Sequence, residues 1–323
     1  MPTGTGSSLQ IGKESSWASA AAGAKNANFL SESLKQNAMK TVEDTLIAGK
    51  APSAKALMGL DVTGDFSGIL KPENAGYILH LALGGTDTVA PDTPVAGART
   101  HTIVAAAAGG TLPSFTAIVD RRVSVKKYTG CKMASFRLEG AAGDYVRYTA
   151  SVMGKDESAG SLASLTALAL KSFKTVNATL TVGGSAIAAK KVTLNINNAL
   201  QDTGQSYGSG LYKTEPIHST REITVAVELD HAAAVDTIDT TNYQTDAVVA
   251  SIVWVLESPS FVTGTTPYRV TVTLNNVVID DLTRNVSGPT IIPASFNGLA
   301  TAVSTTEPIT VAVIDDQVAA YSA

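Results

Sequence analysis

Residues 59–85 read GLDVTGDFSGILKPENAGYILHLALGG and change their pattern halfway along. Up to Leu70, polar and apolar residues mix as they do in a strand. Pro72 suits a first helical turn, because its missing N–H would be unpaired there anyway, and Glu73 favours the positive N-terminal end. Paired glycines, which readily end a helix, close the stretch. The sequence therefore predicts a short helix that directly follows a strand.

The predicted helix runs from Pro72 to about Leu83 and carries a broad apolar stripe. We expect Ile78, Leu79 and Leu83 to pack this stripe against a β-sheet. His80 lies among the apolar residues without a second ligand at helical spacing. We therefore interpret His80 as a packed or surface histidine rather than as a metal ligand or a catalytic group.

Five other segments alternate strictly between apolar and polar residues. In one of them Ile223, Val225 and Val227 form the apolar face. A period of two with one polar face is typical of antiparallel sheets. The glycine pair in TVGGSA, residues 181–186, adds a hairpin turn between two further strands. The five segments are 131–140, 190–200, 221–230, 267–276 and 307–315. The fold class predicted from these patterns is mainly β.

The order of elements repeats along the chain. A polar loop, a Thr-containing strand, a helix and later strands occur in the first half, and residues 230–238 supply a second helix-tolerant segment in the second half. We therefore predict two tandem β-sandwich or barrel domains, 29–165 and 166–323, each with a flanking short helix. Residues 1–28 are rich in Gly, Ser and Ala and are expected to form a flexible N-terminal arm. Residues 85–114 are expected to be a long loop with at most one extended segment.

The composition favours a buried core and a weakly charged surface. Apolar residues make up 44% of the 323 residues, whereas charged residues make up only 16%, below the usual quarter. The net charge of -4 divides unevenly, since residues 1–165 carry 16 cationic and 14 acidic side chains and residues 166–323 carry 8 and 14. The second half is thus the acidic one, at -6. This sign argues against a protein that grips nucleic acid.

The residues that usually carry chemistry are few. Cys131 is the single cysteine, which excludes an intrachain disulfide, and the four histidines never stand at metal-ligand spacing. No G-x-S-x-G elbow or P-loop is present, and the carboxylate pairs are adjacent in sequence, so that in a strand they point to opposite faces. We expect no catalytic centre, no metal and no cofactor. No segment approaches a membrane span or a secretory signal, so we expect assembly in a cytoplasm and no membrane partner.

The basic run DRRVSVKK, residues 120–127, is a candidate interface strand. Adjacent residues of a strand face opposite sides, so the two arginines and the two lysines would each be divided between the faces. We interpret the run as an edge or ring-forming strand whose charges discourage random pairing, rather than as a nucleic-acid site. The candidate interface residues are Arg121, Arg122, Lys126, Lys127 and Tyr128.

Four stretches, taken in order, resemble the phage tail tube protein family. The opening GTGSSLQIGKESSWASAA, residues 4–21, is similar to the family's glycine-rich start, and residues 62–85 resemble its V-x-G strand and the L-x-P-E start of its helix. Residues 114–140 contain Y-x-G-x-x-V-x-S-x-x-L with Met133 at the V position, and residues 190–210 resemble the L-x-I-x-N strand with its Gly/Ser-rich loop. The segment 85–114 and the residues after 285 depart from the family pattern.

The resemblance implies a structural virion protein, and the repeated order of elements together with the length of the chain favours two tail-tube-like domains in it. Tail tube subunits give strands to a ring-shaped inner β-barrel, and stacked rings form a hollow tube that delivers the genome. With six such domains in a ring, a chain of two domains implies a homotrimer, and a chain of one domain implies a hexamer. The implied partners are other copies of the chain, the tail terminator and tail tip proteins, the tape measure protein in the lumen, and phage DNA that passes without specific binding. The implied location is the virion tail.

Three other functions remain open at this point. A carbohydrate-binding or adhesive β-sandwich would need an aromatic platform, but aromatic residues are only 6% and Trp17 and Trp254 are far apart in sequence. Another structural protein of the virion, a capsid or capsid decoration protein, is the second. A hydrolase on a β scaffold lacks its catalytic constellation.

Overall fold

The computed structural model describes residues 3–43, 54–92, 97–107, 110–166, 168–286, 288, 291–303 and 306–322. Strands make up 57% of these described residues and helices 9%, so the predicted mainly β fold class is confirmed. The strands of these ranges form sheets and not a closed barrel.

The described residues contain strands that pair antiparallel throughout, together with two α-helices. The strands are β1 (Ser8–Lys13), β2 (Lys25–Asn26), β3 (Phe29–Glu32), β4 (Lys35–Glu43), β5 (Ala54–Ile69), β6 (Gly84–Pro91), β7 (Arg99–Ala105), β8 (Phe115–Asp120), β9 (Val125–Ala141), β10 (Arg147–Gly154), β11 (Asp156–Ala159), β12 (Ala178–Val182), β13 (Ser185–Ile187), β14 (Ala189–Asn197), β15 (Leu200–Gln201), β16 (Ile217–His218), β17 (Glu222–Asp230), β18 (Val249–Thr263), β19 (Thr266–Arg284), β20 (Pro293–Ala300) and β21 (Ile309–Asp315). The helices are α1 (Pro72–Leu83) and α2 (Ala233–Ile238), and the latter continues into a π-helical turn, Asp239–Tyr243.

One scheme of pairings organises the first half of the chain. Strand β1 lies between β2 and β8, β8 pairs with the N-terminal part of β9, and that part of β9 also pairs with β11. The C-terminal part of β9 pairs with β10, β10 pairs with β5, and β5 pairs with β3. Strand β4 continues β3 along β5.

The same scheme recurs among the described residues of the second half. Strand β12 lies between β13 and β18, β18 pairs with β19, and β19 also pairs with β21. The C-terminal part of β19 pairs with β20, β20 pairs with β17, and β17 pairs with β14. Each of these strands corresponds to a strand of the first half at the same place in chain order. The pairs are β1 with β12, β2 with β13, β3 and β4 with β14, β5 with β17, β8 with β18, β9 with β19, β10 with β20, and β11 with β21.

A β-bulge marks the same position in both schemes. The β10–β9 pairing shifts directly after Ser151, which leaves Ala134 of β9 as the extra residue. The β20–β19 pairing shifts directly after Asn297, which leaves Asp280 of β19 as the extra residue. Because a bulge bends and twists its strand at one fixed point, the repeat holds in register as well as in strand order.

A second bulge repeats in the neighbouring pair of strands. The β3–β5 pairing shifts around Leu30, and the β14–β17 pairing shifts around Lys190. Leu30 and Lys190 are therefore the extra residues of equivalent strands. The two bulges together align β3, β9 and β10 of the first half with β14, β19 and β20 of the second half, residue by residue.

The two halves are joined by strand pairing. The C-terminal part of β9 pairs with β14, from Ser135 opposite Asn197 to Ala141 opposite Lys191. This contact creates one long sheet in the order β3 with β4, β5, β10, β9, β14, β17, β20 and the end of β19. A second contact joins β21 to β7. The predicted boundary between residues 165 and 166 lies between β11 and β12; the division into 29–165 and 166–323 stays a prediction.

Helix α1 is present with the predicted bounds, but its position corrects the expectation of a flanking helix. All its residues except Glu73 are buried, and it contacts strands of both halves, among them β7, β9, β19 and β21. The Asn74 side chain accepts a hydrogen bond from the Lys71 N–H, 3.2 Å away, and Gly84 ends the helix with φ 73°. A helix that is apolar around most of its circumference is stable only inside the protein.

Helix α2 forms within the predicted helix-tolerant segment 230–238 and is shorter than α1. Only Val235 and Ile238 of its residues are buried. Its first turn begins at Ala233 after an extended Ala232, without a side-chain cap. With only two residues buried, the second helix fits the expectation of a flanking helix.

Two loop expectations are wrong. Residues 8–13 of the supposed flexible arm form β1 inside the sheet, because Leu9 and Ile11 bury their side chains, at 1% and 0% exposure. Residues 85–114 contain the hairpin β6–β7. Alternation in RTHTIVA, residues 99–105, is a strand signal that the prolines and small residues around it obscured.

Candidate assembly surfaces

The long sheet has one buried face and one face open to solvent. Alternation on β9 shows the division, because Phe136 and Leu138 are buried whereas Arg137 and Glu139 lie on the other side. A groove of about 800 Å³ runs over this open face between β10, β9 and β14. The open face is defined by Asp65, Ser67 and Ile69 on β5; Arg147, Thr149 and Ser151 on β10; Ser135, Arg137 and Glu139 on β9; Lys191, Thr193, Asn195 and Asn197 on β14; Glu222, Thr224, Ala226 and Glu228 on β17; Ser295 and Asn297 on β20; and Asp281 and Thr283 on β19.

The open face is polar and slightly acidic. Its first-half strands carry two carboxylates, Asp65 and Glu139, and two guanidinium groups, so their charges cancel. Its second-half strands carry three carboxylates, on Glu222, Glu228 and Asp281, against the ammonium group of Lys191. The face as defined therefore has a net charge of -2, contributed by the second half.

The charges of the open face are partly paired with each other. Lys191 lies between Glu139, at 3.5 Å, and Glu228, at 3.8 Å, and Arg137 forms an ion pair with Glu139. These ion pairs cross from β9 to β14 and on to β17. They leave a surface of amides, hydroxyls and compensated charges, with little concentrated positive potential.

The hairpin β4–β5 forms an arm, defined as residues 35–43 and 54–59. Its apolar side chains are unusually exposed, at 37% for Met39, 44% for Val42, 39% for Leu57 and 52% for Met58. Exposed apolar side chains that cluster on one element indicate a contact with another molecule. The sequence reasoning missed this arm, because residues 55–59, KALMG, place apolar residues side by side and show no period of two.

The base of the arm is held by a loop from the second half. The Leu60 N–H donates to the Leu211 carbonyl at 2.7 Å, and Lys213 forms an ion pair with Asp61 at 2.6 Å. Gln205 donates to the Met58 carbonyl at 2.8 Å. These contacts fix where the arm leaves the sheet.

The long sheet ends in two strand edges. On the outer side of β3 and β4, no strand of the described ranges pairs with them. At the other end, β18 pairs with β19 only as far as Val277, so that residues 278–284 have β20 on one side and no strand from the described ranges on the other. Unpaired strand edges are sites where another chain can add a strand.

The basic run does not form the predicted single strand. Strand β8 ends at Asp120 and β9 begins at Val125, so Arg121 and Arg122 lie in a hairpin turn, where Arg122 has φ 69°. The edge position is also wrong, because β8 lies between β1 and β9, and the start of β9 lies between β8 and β11. The turn is stabilised by Asp120, whose side chain accepts a hydrogen bond from the Arg122 N–H at 2.6 Å.

The side chains of the basic run have separate surroundings. Arg121 donates to both Glu32 carboxylate oxygens at 2.8 Å and to the Leu34 carbonyl at 2.6 Å. Hydrogen bonds to Glu32 raise the pKa of Arg121 further above its ordinary value. Tyr128 is fully buried and donates to the same Leu34 carbonyl at 3.0 Å, and burial raises its pKa.

The lysines of the run lie at the start of β9. Lys126 forms an ion pair with Glu157 at 2.9 Å, and Lys127 is half-buried. The run therefore has two arginines in a turn and two lysines at the start of a strand, with the buried Tyr128 directly after them, and does not form one charged strand. Its role in an interface stays a prediction.

The four helix residues lie in the core. Pro72, Ile78, Leu79 and Leu83 are all buried, and the last three have 0% exposure. His80 in the same helix is buried too, and burial, followed by the nearby Lys13, lowers its pKa to about 4. His80 is thus a packed histidine that is neutral at physiological pH.

A buried ionic cluster connects the hairpin β6–β7 with the end of β21 and with Tyr321 after it. His101 has 0% exposure, and its Nδ1 lies 3.0 Å from Asp87 Oδ2 while its Nε2 lies 3.3 Å from Asp315 Oδ1. The Tyr321 N–H donates to Asp87 at 2.6 Å, and the Tyr321 hydroxyl donates to Asp315. Burial lowers the pKa of His101, but hydrogen bonds to Asp315 and Asp87 outweigh it and raise the pKa to about 10.

The arrangement of the cluster indicates that it stabilises the fold. An imidazolium between two carboxylates compensates charges that would be costly to bury alone. The Tyr321 ring packs 4.5 Å from His101 and 6.5 Å from Tyr77 of α1, measured between ring centroids. Since the group has no exposed histidine atoms to meet a substrate, its arrangement favours stability over catalysis. The sequence reasoning missed it, because its members come from opposite ends of the chain.

The remaining chemical groups are few in the part of the chain that the structure describes. These residues contain no cluster of three His, Cys, Asp or Glu side chains able to hold a metal ion. Cys131 is a free, fully buried thiol whose pKa is raised by burial. Neither described helix is long and apolar enough to span a membrane.

Comparison with known proteins identifies the family. The model of a family described as phage tail tube protein matches residues 4–304, nearly the whole chain. The chain belongs to the phage tail tube protein family. A tail tube protein is a structural component of the virion tail, so the long sheet, the arm and the strand edges are those of a tail component. No curated protein matches the chain.

Proposed function

We propose that this tail tube protein assembles into rings that stack as a hollow tube through which the phage genome leaves the virion. The observation that carries the proposal is the long sheet, which has one face in the core and one polar face, and whose two edges pair with no further strand of the described ranges. A sheet of this kind can continue into neighbouring copies until a ring closes, and closure removes its edges.

We further propose that the chain provides two tail-tube units, 29–165 and 166–323, and that the ring is a homotrimer with pseudo-sixfold symmetry. Support comes from the repeated pairing scheme and from the two bulges that recur at equivalent places in both halves. A ring of six chains is the alternative. Strand β1 belongs with the first unit, since it pairs with β8.

The open face is proposed to line the channel. Its net charge of -2, with most cations already in ion pairs, would repel rather than hold the phosphate backbone, so DNA could move past it. The tape measure protein would occupy the same channel before DNA does. The tail terminator and the tail tip proteins would bind the two ends of the tube, where rings have no further neighbour.

Electron microscopy of the purified protein tests this function. We expect rings or tubes, and a reconstruction should contain three chains per ring with the open face towards the lumen. Six chains per ring would contradict the two-unit proposal. A lumen lined mainly by Lys and Arg side chains would contradict the sliding argument, and a protein that remains monomeric at high concentration would contradict tube formation.

The arm is proposed to contact the next ring of the stack, because its exposed apolar side chains need a partner. We expect the double variant Met39→Asp, Met58→Asp to keep the thermal stability of the monomer but to yield short stacks or single rings. Two charges placed in an apolar contact cost several kcal/mol unless they find partners. Mean tube length in electron micrographs is the measurement.

The matched control is Val176→Asp, at an exposed valine outside the arm, with 78% exposure. This variant should form tubes of normal length. Tubes of normal length from the arm variant would show that the arm makes no contact between rings.

A further inference from the structure

The strand edges of the long sheet identify the contact between neighbouring chains, an inference that rests on the proposed ring. We propose that residues 281–286 of one copy pair antiparallel with residues 32–37 of the next copy, with Asp281 opposite Asn37 and Val286 opposite Glu32. The partner is a second copy of this chain, and the register follows from the internal repeat.

The template for this contact lies within the chain itself. Strand β9 of the first half pairs with β14 of the second half, with Ser135 opposite Asn197. The repeat gives each of these two strands a counterpart in the other half, β19 for β9 and β3 with the start of β4 for β14. Replacing both strands by their counterparts turns the internal junction into a junction between two copies.

The first bulge fixes the register of β19 in this junction. Ser135 of β9 directly follows the extra residue of its bulge and lies opposite Ser151. Asp281 of β19 likewise follows the extra residue of its own bulge and lies opposite Asn297. Ser135 therefore corresponds to Asp281.

The second bulge fixes the register of the partner strand. Leu30 of β3 and Lys190 of β14 are the extra residues of this bulge. An equal count forward from each leads from Lys190 to Asn197 and from Leu30 to Asn37, so Asn197 corresponds to Asn37. Since Ser135 lies opposite Asn197 in the template, Asp281 should lie opposite Asn37 in the contact between copies.

Both partners of the proposed contact have the outer edge that it requires. The β18 pairing ends before residue 278, and β3 and β4 pair with β5 alone among the described strands. Each edge corresponds to an edge that is paired in the template. The repeat therefore leaves two complementary halves of one junction at opposite ends of the same sheet, a head-to-tail arrangement that forms a ring when the rotation between copies closes.

The side chains fit the register on both faces. On the open face, Thr283 would stand opposite Lys35, and Asp281 would face the amide of Asn37. On the other face, Leu34 and its template counterpart Leu194 are each only 1% exposed. The segment 32–37 and its counterpart β14 therefore both place a leucine in the core at this position. Arg284 would come within diagonal reach of Glu32, and cross-strand pairs of opposite charge stabilise a sheet.

In the single chain this edge is covered by side chains. The Leu34 carbonyl accepts hydrogen bonds from Arg121 and Tyr128, and the Leu34 N–H donates to Glu32 at 3.1 Å. Arg284 in turn pairs with Asp236 at 2.5 Å. These side-chain contacts satisfy the backbone groups of the edge before assembly. An incoming strand would replace them with backbone hydrogen bonds.

Engineered cysteines test the register. In the variant Lys35→Cys, Thr283→Cys, directly opposed residues would have Cα atoms about 4.5–5.5 Å apart, within the range of a disulfide. Mild oxidation of assembled rings should give covalent dimers and trimers on a denaturing gel, with no larger closed species. Each single-cysteine variant should remain monomeric on that gel, since Cys131 is buried.

The register control is Ser33→Cys, Thr283→Cys, which is two residues out of step on the same face. Diagonal neighbours are about 7–8 Å apart and should cross-link poorly. Rings that cross-link better through the out-of-step pair, or through neither pair, would overturn the proposed register while the tube function stands. A protein without rings or oligomers of any kind would contradict both proposals.

Hydrogen exchange on the unmodified protein covers the case in which the cysteine variants do not assemble. Among residues 281–286 and 32–37, the amides that face away from β20 and β5 should exchange at least tenfold more slowly in tubes than in monomers. Tubes in which neither segment gains protection would overturn the contact.

Discussion

The variant Leu79→Asp should yield no soluble, cooperatively folded protein. Leu79 has 0% exposure in α1, a helix that contacts strands of both halves of the chain. Losing a buried leucine alone costs about 2–5 kcal/mol, and the buried carboxylate adds its own desolvation penalty. The sum approaches the whole stability of an ordinary domain, about 5–15 kcal/mol. Size-exclusion chromatography and thermal unfolding followed by circular dichroism are the measurements.

Val123→Asp is the matched control for this variant. Val123 is 77% exposed in the turn between β8 and β9, and a charge there should change stability by about 0.5 kcal/mol at most. Tubes of normal appearance from Leu79→Asp would show that this face of α1 is not buried in the protein.

The variant His101→Gln should lower the free energy of unfolding by about 3–5 kcal/mol, the range measured when one partner of a buried ion pair is removed. Glutamine fills a similar volume but cannot carry the positive charge that lies between Asp87 and Asp315. Denaturant unfolding at pH 7 measures the loss. His231→Gln, at a partly exposed histidine, is the control and should be close to neutral.

The pH dependence of stability separates the charge of His101 from its shape. Native His101 keeps its proton up to a pKa of about 10, whereas in the unfolded chain it loses it near 6.5. The native state then binds more protons between these values, so stability is complete below pH 6.5 and falls as pH rises towards 10, by at most about 1.4 kcal/mol per pH unit. The decline should be absent in His101→Gln, and a decline of equal slope would rule the cluster out as its cause.

His80 should have the opposite effect on the pH dependence of stability. Its pKa of about 4 means that the unfolded chain binds the proton first, so stability falls as pH drops from 6.5 towards 4. The two histidines together should place the maximum stability near pH 6.5.

The elements that sequence reasoning predicted well are those with a strong local signal. Helix α1 follows from a proline, an acidic residue and two glycines, and the long strands follow from strict alternation of residue types. Polar and apolar residues alternate because one face of the sheet is buried, and this pattern does not depend on where in the sheet the strand lies. The basic run was misinterpreted, because a turn at Asp120 breaks the alternation that strand geometry assumes.

The features that sequence could not supply depend on distant partners. The burial of α1 on all sides needs strands from both halves, and the His101 cluster needs residues 87, 101, 315 and 321 together. The residues around each of these contacts carry no sequence pattern that would reveal the distant partner. The repeat itself was visible only as an order of elements, since residue identity between the halves is low, and the bulges that align it are properties of backbone pairing.

The pairing of β9 with β14 has a consequence for the concentration at which assembly begins. Joining two separate bodies costs about 4–15 kcal/mol of translational and rotational freedom. In a ring of n copies with two units each, n of the 2n junctions are of the β9–β14 kind and form when the chain folds, at no such cost. Only the other n junctions depend on protein concentration. Compared with a ring of single-unit subunits with equally strong contacts, this chain should therefore nucleate at a lower critical concentration, and its nucleus should contain fewer molecules.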